Sequence, residues 1–353
     1  MIEPGVAASE SPSDLMPALQ AAADLAVERR GGCEARLDLA GLHLRVQFAG
    51  AELRDLMLPA MAHAVAPRAS APDLDVTVWD SAQSGVALPA AAGIPADHTP
   101  FAFSRVPRRG SVQSLFDPWS CSLTALDLAR GLAVHWLPDA ASPLDAVRSA
   151  PLQALLNWWL AARGRAAVHG AGVSAAGSAV LLLGPSGSGK STAALACVEA
   201  GFGYLGDDLC AVVLEPEPFV HAVYGSAKLV ERDLERFPGL ASCVVNTERG
   251  PSDKAIAYLD RRGPGVVDRG RPLRAAMVLG AKGLASPEIL PLSPAAALRA
   301  IAPGTFMNFF GHGQSELAAL ARLVARVPCY RLGLAHDIDA NTAALRALLE
   351  AAA

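Results

Sequence analysis

The chain has 353 residues, of which 52% are hydrophobic and 18% charged, with a formal net charge of −4. That length accommodates two domains, each with its own core, and so apolar a composition excludes long disordered stretches. The mildly acidic balance, with no basic cluster longer than Arg108-Arg109 or Arg261-Arg262, argues against nucleic acid as a partner.

Only four of the 30 basic residues are lysine, and none precedes position 190. No apolar run is long enough for a membrane-spanning helix, so no membrane association is expected. The opening MIEPGVAASESPSD carries acid and lacks an apolar segment, unlike a signal peptide, which points to a cytoplasmic protein. Six cysteines without a C-x-x-C pair suggest reduced thiols rather than a disulfide framework or a zinc site.

In chain order, 13–30 reads as a helix. Residues 35–48 alternate with period two around Ala40-Gly41, as a hairpin with one buried face does. A helical period covers 51–65, and DLDVTVW (73–79) alternates again. A loop rich in Ala, Gly and Pro fills 81–109, before strands at 111–116, 121–128 and 132–137. Short turns predict mostly antiparallel pairing, hence an α+β first domain over 1–145. A helix over 143–163, kinked at Pro151, carries Trp158 and Trp159 as core residues. From 146 to 353 the pattern becomes α/β. Strands are expected at 166–173, 178–183, 202–206, 209–214 and 328–334, with helices over 190–200 and in SELAALARLVARV and ANTAALRALLEA.

The strongest signal is AVLLLGPSGSGKST, residues 179–192. An apolar strand leads into Gly184, Pro185, Ser186, Gly187, Ser188, Gly189, Lys190 and Ser191, which satisfy G-x-x-x-x-G-K-[ST], with Thr192 next. Glycines let successive backbone N–H groups turn toward one anion, and the helix that follows presents its positive end to it. Lys190 is placed for the β- and γ-phosphates and the Ser191 hydroxyl for Mg²⁺, so ATP and Mg²⁺ are the expected cofactors.

There is no N-K-x-D motif and no L-S-G-G-Q motif, which disfavours GTPases and ABC-type ATPases. The apolar run RAAMVLG (274–280) ends in glycine rather than an acid. Instead GYLGDD supplies Asp207 and Asp208, one helix and one short strand after the lysine. On a parallel strand adjacent to the phosphate-loop strand, these carboxylates would end at the same rim. His169, in VHGAGV, could border that site. A lysine, a hydroxyl and paired carboxylates are the ingredients of phosphoryl transfer to a hydroxyl group.

The succession of His169-Gly170, GPSGSGKST and GFGYLGDD resembles the bacterial HPr serine kinase/phosphorylase family over about residues 166–214. The resemblance implies an α/β P-loop kinase fold for the second domain. It also implies Asp207 as proton acceptor, Asp208 as its support and a metal ligand with Ser191, His169 as an auxiliary group, and a possible homo-oligomer. The family's E-I-R-G-x-G element is missing, since 223–240 reads VYGSAKLVERDLERFPGL. The layout is thus more similar to HPr-kinase-like proteins such as the lasso-peptide serine kinases. Lys228 and Lys254 are placed to reach a phosphate or an acidic substrate group, although solvated surface lysines are the favoured expectation, while His312, Arg261, Arg262, Arg271 and Arg274 are candidates for a substrate groove.

The expected activity is therefore ATP- and Mg²⁺-dependent transfer of a phosphoryl group to a serine of a protein or peptide. A nucleotide-binding switch that transfers nothing, and a small-molecule hydroxyl kinase, remain as alternatives.

Overall fold

A computed structural model describes residues 15–67, 71–93, 111–117, 120–141, 145–250, 253–308 and 314–352, with the backbone only at 305–308, 314 and 315. His312 lies outside the described residues. The chain divides into two compact units: Met1–Leu37, His43–Met57 and Pro67–Val147 form one, and Asp38–Leu42, Leu58–Ala66 and Arg148–Ala353 the other.

The first unit contains α1 (Leu15–Arg30), β1 (Gly32–Leu39), β2 (Leu42–Ala49), α2 (Ala51–Met57), β3 (Leu74–Asp80), α3 (Ser81–Ser84), β4 (Val112–Asp117), β5 (Ser122–Asp127) and β6 (Leu132–Leu137). Ala40 and Gly41 take φ of 54° and 72°, the left-handed pair that closes a two-residue hairpin in step with strand twist. As the period-two pattern requires, Leu37, Leu39, Leu44, Val46 and Phe48 are buried. The strand order is β1-β2-β3-β6-β5-β4. Pairing departs from the expected antiparallel arrangement at the centre, where β2–β3 and β3–β6 are parallel. The connection through α2 supplies the crossover that a parallel pair needs, and the antiparallel run β4–β5–β6 returns its last strand beside β3.

The boundary falls within α4 (Asp145–Ser149), and the second unit continues with α5 (Gln153–Ala162), the chain being broken around Pro151 where Leu152 adopts φ 59°. Trp158 and Trp159 are buried in it. Then come β7 (Ala166–Val168), β8 (Ala171–Ala175), β9 (Ser178–Leu183), α6 (Lys190–Glu199), β10 (Gly203–Tyr204), β11 (Cys210–Val213), β12 (Phe219–Ala222), β13 (Ser226–Leu229), α7 (Glu231–Arg236), β14 (Ala255–Tyr258) and β15 (Gly270–Leu284). β16 (Glu288–Pro291), α8 (Pro294–Asn308), α9 (Gln314–Arg326), β17 (Cys329–Ala335) and α10 (Ile338–Ala351) complete it. The main sheet runs β10-β8-β9-β15-β12-β11-β7, with β17 on β15 and β16 on β17, while β13 and β14 form a separate ribbon.

β9 is buried along its whole length and lies parallel to β15, which is parallel to β17 on its other side. Burial on both faces explains its uninterrupted apolar run. The strand before the aspartate pair is not its neighbour. β8 lies between β9 and β10, antiparallel to both, so β10 runs in the direction of β9 one strand removed.

The expected strand over 166–173 is in fact two strands. β7 pairs with β11 and β8 with β9 and β10, the chain changing partners at His169-Gly170. The segment between β10 and β11, which holds Asp207 and Asp208, makes the reverse change. The two corners are tied together: Gly172 N–H donates to Gly206 O at 2.9 Å and Leu205 N–H to Gly172 O at 2.9 Å. Among the described residues, no helix is long and apolar enough to cross a membrane.

Candidate active site

The phosphate-loop sequence forms the turn that its glycines permit. Gly184, Gly187 and Gly189 take φ of 139°, 75° and 102°, a region L side chains rarely adopt. A Cβ on Gly184 would also come within 3.0 Å of Ser188 Oγ. The turn ends on Gly189 at the start of α6, whose first residues are Lys190, Ser191 and Thr192. The unpaired N–H groups of that first turn make an anion-binding cradle.

Lys190 is buried and folds back over the loop, its Nζ donating to Gly184 O at 2.9 Å and Pro185 O at 3.1 Å. Burial pulls its pKa down from the ordinary lysine value, against the opposing pull of Asp207 and Asp208. A second lysine closes the other side of the loop. Lys282, near the end of β15, donates from Nζ to Gly187 O at 2.7 Å. RAAMVLG does not end in an acid, but two residues past its glycine the same strand supplies a cation.

The aspartates occupy a tight corner in which Asp208 has φ 67°, a left-handed conformation that Asp and Asn adopt more readily than most side chains. Asp208 N–H donates to Asp207 Oδ1 at 3.0 Å. The two carboxylates then diverge. Asp207 is 6% exposed, and the nearby Ser191 hydroxyl favours its charged form. Asp208 lines the open cavity, with Lys228 Nζ 3.0 Å from its Oδ2. Burial, and after it the neighbouring Asp208 charge, pushes the Asp207 carboxyl above the usual range. For Asp208 burial acts in the same direction, but the Lys228 ammonium, together with His169 and Lys254, outweighs it and holds this carboxyl below the usual range.

His169 sits at the paired corner, where its Nδ1–H donates to Asp208 O at 3.0 Å. Burial, then Lys190, lowers its pKa, so the ring is neutral at physiological pH. Thr192 Oγ1 donates to both oxygens of the buried Asp233, each at 3.2 Å, which ties α7 to the start of α6.

These groups surround one cavity of about 640 Å³. It is lined by the phosphate loop, His169, Asp208, α7 and a face of α10 bearing Ile338, Asn341, Thr342 and Leu345. All four lysines of the chain line it: Lys190, Lys228, Lys254 and Lys282. Lys228 and Lys254 are therefore not scattered surface lysines. The groove arginines fare differently. Arg262, Arg271 and Arg274 pair with Glu199, Asp268 and Glu217, and Arg261 stacks over Tyr258, all away from the cavity lining. Arg232 and Arg236 line it instead.

Sequence reasoning placed the loop, the aspartate pair and His169 in one site and missed Lys282, Asp233, Arg232 and Arg236. The scarcity of lysine was the signal that could have found Lys282.

Hard oxygen donors suit Mg²⁺, which is held through one or two protein oxygens with phosphates and water completing its shell. The Ser191 hydroxyl and the Asp207 carboxylate, in mutual contact beside the loop, fit that chemistry. Among the described residues no cluster of three or more His, Cys, Asp or Glu able to hold a metal occurs.

No protein-family model matches the chain, and none of the curated proteins matches it. Among solved structures it is similar to the Hpr(Ser) kinase/phosphatase from Coxiella burnetii, at 11% identity and a TM-score of 0.31, over 52% of this chain and 94% of that one.

Proposed function

We propose that the chain is a kinase that uses ATP and Mg²⁺ to phosphorylate a hydroxyl group, that of a serine in a protein or peptide. The observation that carries this reading is the convergence of Lys190, Ser191 and Asp208 on one cavity, with Asp207 buried next to Asp208. A nucleotide-binding loop alone would serve a switch equally well. A carboxylate facing the open space beside the loop adds the acceptor for a hydroxyl proton.

In this reading the loop N–H groups, Lys190 and Lys282 hold the phosphates, and the face of α10 receives the nucleoside. When bound, Mg²⁺ supplies charge neutralisation on the phosphoryl oxygens, and Ser191 with Asp207 would hold it. Asp208, which faces the cavity, takes the proton as the acceptor oxygen bonds to the γ-phosphorus. The bond from that phosphorus to the β–γ bridging oxygen breaks, and ADP departs. The family resemblance gives the base role to Asp207 and the metal role to Asp208. The Ser191–Asp207 contact and the position of Asp208 on the cavity wall favour the opposite division.

The test is transfer of label from γ-³²P-ATP, by the full chain with Mg²⁺, to cytoplasmic proteins, to serine peptides and to small hydroxyl compounds. Labelled protein or peptide supports the reading. ATP binding without transfer to any of the three would leave a nucleotide switch, and labelling confined to small molecules would make it a metabolite kinase.

A further inference from the structure

The cavity carries more positive charge than a nucleotide needs, and the surplus is gathered on one wall. Lys228 lies on β13 opposite Ile256 of β14. Lys254 precedes Ile256 by two residues, so period-two alternation puts it on the same face of the ribbon as Lys228. Diagonal neighbours on such a ribbon lie about 7–8 Å apart, and two ammonium groups there repel each other unless an anion separates them. Asp208 partners Lys228. Lys254, Arg232 and Arg236 line the same cavity, and none of them makes an ion pair among the described residues. Arg232 and Arg236 stand four apart on α7, directly after β13, and project to one side of that helix.

The phosphates of a nucleotide would already be matched by the loop N–H groups and by Lys190 and Lys282, whose ammonium groups both lie on loop carbonyls. We propose that the wall formed by Lys254, Arg232 and Arg236 is an anion subsite for the acceptor. The hydroxyl that is phosphorylated then belongs to a molecule bearing a carboxylate or phosphate close to it. This inference rests on the kinase reading, since it assigns the phosphate loop to the nucleotide. Clustered cations beside an acceptor site select for oxyanions and speed their arrival, an effect that salt weakens.

The test is calorimetric titration of the full chain, first with Mg²⁺ and a non-hydrolysable ATP analogue. At saturation, three probes follow separately: inorganic phosphate, a serine peptide with glutamate flanks, and the same peptide with glutamine flanks. The expected result is binding of phosphate, of the glutamate peptide or of both, with the glutamine peptide at least tenfold weaker than the glutamate one wherever peptide binds. Phosphate binding alone identifies a small phosphorylated acceptor, and glutamate-peptide binding an acidic peptide.

Lys254→Glu and the pair Arg232→Glu/Arg236→Glu should weaken that second event tenfold or more and leave analogue affinity within about twofold. Lys254→Ala and Arg236→Ala serve if charge reversal impairs folding. Analogue binding with no second anion overturns the inference alone. So does an equal loss of analogue affinity in the variants, which would assign these cations to the nucleotide. No analogue binding by the unaltered chain overturns the kinase reading and the inference with it.

Discussion

Lys228 Nζ stands 3.0 Å from Asp208 Oδ2, the two side chains being 32% and 33% exposed. An ion pair that open is screened by solvent, and its contribution to folding is at most about 1 kcal/mol. Its effect on the carboxylate is larger, because the ammonium keeps Asp208 ionised and fixes where it points. Lys228→Met should therefore lower phosphoryl transfer by about ten- to a hundredfold while shifting the melting temperature by only a few degrees. Melting curves and turnover measured on one preparation check this. A stability loss that matched the activity loss would make the pair a fold element.

The division of labour between the two carboxylates has a distinct signature. Asp208→Asn should abolish transfer and leave Mg²⁺-dependent nucleotide binding close to its original strength. Asp207→Asn should instead reduce the Mg²⁺-dependent part of nucleotide affinity, because the carboxylate beside Ser191 is lost. Folding should respond in the opposite sense. Burial raises the Asp207 carboxyl above its unfolded value, so its charge opposes folding at neutral pH, and the amide should leave stability unchanged or improve it. Nucleotide titrations with and without Mg²⁺, together with melting curves, decide between the two assignments.

Lys190→Ala should weaken nucleotide binding tenfold or more and stop transfer, since its ammonium lies directly on the loop, 2.9 Å from Gly184 O. A variant that still binds the triphosphate at its original strength would remove Lys190 from the phosphate site.

What the sequence made legible was local. The loop, its strand and its helix are written in one consecutive stretch, residues 178–199, because phosphate cradling needs glycines in left-handed conformations and a helix start directly after them. The hairpin around Ala40-Gly41 was equally readable. Pairing between distant segments was not. Nothing in VHGAGV says that the chain leaves one half of the sheet for the other at Gly170, or that β8 comes between β9 and β10. Lys282 was hidden for the same reason, since only the parallel pairing of β15 with β9 brings its strand end to the phosphate loop. Arg232 and Arg236 reach the cavity through a short helix whose placement depends on the buried contact between Asp233 and Thr192.

In the first unit, His135 of β6 is buried and its Nδ1 lies 2.9 Å from Thr124 Oγ1 across the β5–β6 pair. Burial drives its pKa down to about 4. The unfolded chain takes up the proton near pH 6.5, well before the folded chain does, so stability falls as pH drops from about 6.5 toward 4 and levels off below. The loss attributable to this residue is at most about 3 kcal/mol. His63 of the second unit is held down to about 4 in the same manner and adds its own share. Denaturant unfolding at pH 7.5 and pH 5 should show His135→Gln losing less stability on acidification than the unaltered chain. Identical losses would mean that the imidazole is not shielded as described.

Gly170 explains how one corner serves both fold and site. A Cβ there would lie 2.6 Å from Leu183 Cδ2 and 2.9 Å from Leu182 O, and the second of these is backbone of β9, the strand that carries the phosphate loop. The leucine side chain can rotate away, whereas the carbonyl cannot move without β9. Gly170→Ala should thus cost about 1–3 kcal/mol, the usual range for overpacking in a close-packed core. It should also displace His169, whose Nδ1–H reaches Asp208 O from the neighbouring position. Nucleotide affinity and transfer should fall together in this variant, and by more than the stability loss accounts for at temperatures well below melting. If the variant melts lower but binds and transfers normally when folded, the corner is a packing device alone and His169 does not depend on its geometry.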